Sequence, residues 1–132
     1  MKETRILFIL FTIVTILNTP LLKAQEIKND TFKHTVFFWL KTPDKKADRE
    51  AFEKSIKKFI DSSLYVQSKH LGVPAKTNRD VVDNTYTYCL QVTFNSKEDH
   101  DKYQTEKAHK VFIEESLNLW KKVIVYDSEN MW

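Results

Sequence analysis

Four histidines, five tyrosines and one cysteine are the side chains in this 132-residue chain best suited to moving a proton or holding a ligand. A neutral imidazole titrates near physiological pH and can take a proton from an activated carbon beside a carbonyl. A tyrosine hydroxyl can hydrogen-bond the enolate oxygen that forms. Aldol-type closure or isomerisation of a ketone-bearing substrate is the chemistry such groups would support. His34 lies in FKHTVFFWLK, where strand alternation puts it on one face with Val36, Phe38 and Leu40. Tyr88 takes the corresponding face of TYTYCLQVTF, and His109 precedes Phe112 and Ile113 by three and four residues, at the border of an apolar helix face. A second reading stands beside this one. A strand histidine facing a helix can simply satisfy a buried carbonyl or tyrosine, and buried tyrosines are ordinary core residues with a polar tip.

No metal site is expected. His100 and His109 are nine residues apart, too far for two ligands on one helix face, and the chain has neither HExxH nor paired cysteines. A single glycine, Gly72, excludes glycine-rich phosphate loops; its position is read as a turn conformation other residues resist. His70 beside it is read as structural or exposed. Cys89, alone in an apolar strand, is read as a small buried hydrophobe rather than a reactive thiol.

The elements that must position these groups follow from periodicity. Lys2 and Arg5 precede an apolar run over 6–17, Pro20 stops it, and Ala24 stands before a plausible cut, so 1–24 reads as a signal peptide. The alternative, a retained membrane anchor, is disfavoured because a span needs about 20 apolar residues. Residues 25–31 are a polar lead-in. Losing Lys2, Arg5 and Lys23 against Glu3 takes two charges from the net +3, leaving +1, and so gives no electrostatic case for nucleic acid. The mature chain is expected to be exported, with no stable membrane association after cleavage.

A first strand is expected over 32–41, a helix over 48–61 with Phe52, Ile56, Phe59 and Ile60 inward, and a weaker strand over 64–71. A polar loop over 76–83 leads to a strand over 85–94, with Tyr86, Tyr88 and Leu90 on one face. Ser96 caps a short helix carrying His100 and Tyr103, a second helical run starts at Lys107, and a last strand covers 121–127 before a short tail. The order is β-α-β-β-α-β: an α+β, ferredoxin-like fold with a four-stranded antiparallel sheet and both helical layers on one face. The other face of the first strand, with Phe37 and Trp39, is also apolar. Burying it against a second copy is the economical solution, a symmetric homodimer.

In order and spacing the chain resembles the stress-responsive α/β-barrel domain family, Dabb. The matching pieces are Lys33-His34-Thr35-Val36, the stretch 79–83, Tyr86-Thr87-Tyr88 through Val92-Thr93-Phe94, Asp101 to Tyr103, Ala108-His109, and Leu119-Trp120 through Tyr126-Asp127. The resemblance implies a dimeric α/β barrel over 32–128, with 129–132 as a tail. It also implies a cavity between sheet and helices, as in plant members that close a polyketide ring without metal or organic cofactor. By that resemblance His34, Tyr103 and His109 fall on functional positions and are the catalytic candidates; Tyr88, Phe38 and Phe112 are the ligand-binding candidates, and no cofactor is expected. A family histidine on the third strand is Tyr88 here, and the family's His-Pro before Ala-His is Glu106-Lys107. The expected function is binding of a small apolar molecule in a His/Tyr-lined cavity. The alternatives are a cofactor-independent cyclase or isomerase using His34 and His109, and a structural interaction module.

Overall fold

The computed structural model describes residues 32–131; the expected signal peptide over 1–24, the lead-in over 25–31 and Trp132 lie outside the described residues. The elements are β1 (Phe32–Leu40), α1 (Lys46–Ser62), β2 (Ser68–Gly72), β3 (Tyr88–Phe94), α2 (Lys97–Thr105), α3 (Lys107–Ser116) and β4 (Trp120–Glu129). They build one four-stranded antiparallel sheet in the order β2-β3-β1-β4. β1 is central because it is apolar on both faces, which no edge strand could expose cheaply. Its register sets His34 opposite Val92 on β3 and opposite Asp127 on β4.

Phe32, His34, Val36, Phe38 and Leu40 face the helices and are buried. α1 answers with Phe52, Ile56, Phe59 and Ile60, spaced three and four apart so that they share one stripe. Phe52 is fully buried against Phe38 and Tyr88, a burial that contributes about 1.5–3 kcal/mol. α2 starts where expected: the Ser96 side chain accepts from the Asp99 backbone N–H at 3.1 Å, and Glu98 and Asp99 sit in the first turn.

Several boundaries differ from the sequence expectation. β2 begins at Ser68 rather than 64, because residues 63–64 are held elsewhere: the Glu106 carboxylate accepts from Ser63 Oγ and from the Leu64 N–H, each at 2.8 Å. β3 begins at Tyr88 rather than 85. Just before it Thr87 is pinned, its N–H donating to the Phe38 carbonyl at 2.7 Å and its hydroxyl accepting from the Leu40 N–H at 3.0 Å. Alternation fails there, so Tyr86 packs on Phe37 and Trp39 on the outer face instead of sharing Tyr88's face. β4 runs on to Glu129, which pairs with Phe32, so the expected tail is partly strand. Gly72 lies inside β2 without a positive φ. A Cβ there would meet the His70 ring at 2.6 Å, the tip of an exposed side chain that can swing away, so the turn requirement expected for this glycine is not what the strand shows.

Candidate functional site

Antiparallel register builds the first part of the site. His34 and Asp127 face each other across β1 and β4 on the helix-covered side, and His34 Nδ1 lies 2.6 Å from Asp127 Oδ1. His34 is 5% exposed, while the Asp127 side chain is 40% exposed at the edge of the sheet. Burial lowers the His34 pKa; the bond to Asp127 and its charge pull the other way and only partly offset it. The ring is therefore neutral at pH 7, and its Nδ1–H donates to the carboxylate. Nε2 is left with the lone pair that a base needs.

The helices supply the rest. α2 places His100 and Tyr103 one turn apart, with ring centroids 4.9 and 5.8 Å from His34. Burial, then the Glu106 and Asp127 charges, raises the Tyr103 hydroxyl well above its usual range, which keeps it a donor. From α3, His109 is 5.3 Å from Tyr103 and 5.1 Å from Phe59 between ring centroids. Burial lowers its pKa as well, with the His34 side chain adding to the effect. Together these side chains line a cavity of about 410 Å³ whose apolar walls include Phe38, Phe112, Trp120 and Val123. That volume falls within the range of about 300–1,000 Å³ usual for small-molecule sites.

Five of the six side chains singled out from the sequence thus line one cavity: His34, Tyr103, His109, Phe38 and Phe112. Tyr88 is not among them. Its ring stacks on Phe52, its hydroxyl donates to the Glu53 carboxylate, and it borders a separate cavity with Lys57, Ile60 and Leu71. It shares the sheet face of His34 but lies opposite Phe38, at the far end of the β1–β3 ladder, where α1 covers it. Asp127 and His100 also line the cavity and were not picked out as site residues from the sequence. Asp127 becomes visible only through the β1–β4 register. His100 sits in a polar helix whose buried face is just His100 and Tyr103, a stripe too thin for periodicity to flag. His34, His100 and Asp127 also form the one group of three potential metal-ligating side chains among the described residues. The absence of a metal site was argued from ligand pairs on a single helix, and this cluster is drawn from two strands and a helix. Cys89 is half-buried and burial raises its thiol pKa, as suits an inert apolar residue.

Comparison with solved structures gives the same fold repeatedly. A Dabb family protein with a ferredoxin-like fold from Mesorhizobium loti is 17% identical, with a TM-score of 0.65 over 77% of this chain and 98% of its own. The hydroxynitrile lyase of Passiflora edulis is 16% identical, with a TM-score of 0.64 over 79% of this chain and 97% of its own. A protein of unknown function from Bacteroides fragilis, described as dimeric with a ferredoxin-like fold, is 17% identical, with a TM-score of 0.59 over 76% of this chain and 97% of its own. No protein of curated function is a significant sequence match. The profile of the Stress responsive A/B Barrel Domain matches residues 32–130, from the first residue of β1 to just past the end of β4, and the chain belongs to that family, Dabb.

Proposed function

We propose that this chain is an exported, homodimeric Dabb protein that binds a small, largely apolar molecule between its sheet and helices. The observation that carries the reading is the cavity, apolar on most walls and polar where His34, His100, Tyr103, Gln104, His109 and Asp127 converge. A few placed polar groups in an apolar pocket orient a ligand rather than merely enclose it. The signal-peptide pattern read in residues 1–24 supports export, and the apolar outer sheet face, with the dimeric Bacteroides fragilis neighbour, supports the homodimer. Val125 lines the cavity from its edge and is 46% exposed, so Val125→Trp can fill the space without forcing the core apart. Organic extraction of the purified wild type followed by mass spectrometry should recover a bound molecule that the Val125→Trp protein lacks. Equal recovery from both would place the ligand elsewhere.

The His34–Asp127 pair favours a second reading, acid–base catalysis without a cofactor. In it, Nε2 of His34 takes the proton beside a carbonyl, Tyr103 donates to the resulting enolate oxygen, and His109 returns a proton. The similarity in fold to a hydroxynitrile lyase is consistent with an enzyme on this scaffold, though fold alone does not carry function. His109→Ala should then lower turnover of a ketone substrate by about 10²–10⁴-fold with the melting temperature nearly unchanged. A large fall in melting temperature with turnover retained would make His109 a core residue instead.

A further inference from the structure

We propose that His34, His100 and Asp127 form a divalent transition-metal site of the zinc type, with its open coordination positions facing the cavity. The inference does not rest on the identity of any organic ligand. One potential ligand atom from each of the three side chains lies within 4.8 Å of the others. His34 Nδ1 and Asp127 Oδ1 already approach to 2.6 Å; a metal bound between them would take the place of the Nδ1 proton, with the neutral ring's proton on Nε2 instead. A tetrahedral zinc centre needs ligand atoms about 2.0–2.2 Å from the metal and so roughly 3–3.5 Å from one another. Bringing the three atoms into that range takes side-chain rotation within the cluster and a modest opening of the 2.6 Å contact.

His100 is the side chain that packing alone does not account for. It is 8% exposed, and its Nδ1 is fully buried without a hydrogen-bond partner; the Asp101 carboxylate stands 3.5 Å away. A buried imidazole nitrogen left unpaired costs about 1–3 kcal/mol, which a leucine or phenylalanine at this apolar position would not incur. A cation held by that free nitrogen would recover the cost. Its Nε2 meets the Gln104 amide at 3.0 Å, the kind of outer contact that fixes the orientation of a ligating histidine. The donor set also narrows the metal. Two imidazoles and one carboxylate suit zinc, iron or copper better than magnesium or calcium, which prefer oxygen alone. Three protein ligands and a cavity are the arrangement of a site that keeps a position for water or a bound molecule.

The test is metal titration of the purified, chelator-stripped protein. Calorimetry with Zn²⁺ should show one saturable site per chain, and Co²⁺ should give the intense visible bands of a four- or five-coordinate centre. Because loss of a mere supporting contact costs about 10–100-fold in metal affinity, Asp127→Asn and His100→Gln should each weaken Zn²⁺ binding by at least about a hundredfold. His70→Gln, on the exposed β2 strand, should leave it unchanged. Zn²⁺ should also raise the melting temperature of the wild type and not of the two ligand variants. If His100→Gln fails to fold, Asp127→Asn, nearly isosteric at a half-exposed position, still decides the matter. No saturable site, a cobalt spectrum no stronger than that of the hydrated ion, or affinity unchanged in Asp127→Asn would each overturn the proposal. So would an equal loss in His70→Gln.

Discussion

Two imidazoles in this domain are held neutral by burial, and that makes its stability depend on pH in a definite direction. His34 and His109 both have folded-state pKa values below the ordinary 6.5. As pH falls through 6.5, protons bind the unfolded chain before they bind the folded one, and stability rises with pH wherever the unfolded state holds more protons. The melting temperature should therefore be level above about pH 7 and decline as the pH drops below 6.5. His109→Gln should make that decline shallower. Asp48, Asp61, Asp83 and Asp101, whose pKa values lie below 3.8, add a separate loss only at more acid pH. A melting temperature that stays constant from pH 7 to pH 5 would contradict this account of the two histidines. Residue type and strand parity were enough to put His34 on the cavity side. They could not reveal its partner, because Asp127 is 93 positions away and meets it only through a ladder whose register no local pattern encodes.

At the scale of elements, the junction between α2 and α3 gives Glu106 a mechanical task. Glu106 ends α2 and begins α3, and its two carboxylate oxygens tie down Ser63 and Leu64 at the C-terminal end of α1. These bonds explain why the extended segment after α1 joins the sheet only at Ser68. Glu106→Ala removes both acceptors from partly exposed positions and should cost about 1–2 kcal/mol. Hydrogen exchange should show the Leu64 amide losing protection while β1 and β3 keep theirs, and unchanged protection at Leu64 would refute the tether. The sequence predicted element types well for the same reason it predicted edges poorly. Helical stripes such as Phe52-Ile56-Phe59 and the strand of 88–94 are set by burial. The starts of β2 and β3 are set by pairs of hydrogen bonds, to the Glu106 carboxylate and at Thr87, that reach across the fold. The Thr87 anchor also sends Tyr86 to the opposite face from Tyr88, a reversal that simple alternation cannot anticipate.

At the scale of the whole molecule, the sheet has one face packed on three helices and one that is aromatic, with no layer above it among the described residues. Phe37 is flanked on that outer face by Tyr86 at 4.9 Å and Tyr126 at 6.1 Å between ring centroids, and Tyr126 is 62% exposed. Trp39 is better covered, with its Nε1–H donating to Thr85 Oγ1 at 3.0 Å and the Lys122 ammonium 4.3 Å from its ring centroid. The protein's own loop therefore shields the Trp39 end, and the uncovered aromatic area centres on Phe37 and Tyr126. An isologous contact through that area would pair the two sheets and leave both helix-side cavities outside the interface. Phe37→Asp places a charge in the middle of the contact without touching the helix-side core, so light scattering should move from twice the mass of one chain to the mass of one chain. The cavity should survive in that monomer, because its walls come from one chain. A wild type that is already a stable monomer at high concentration would refute the pairing. A Phe37→Asp protein that lost its bound molecule along with its partner would instead show that the dimer, and not the single sheet, holds the cavity in shape.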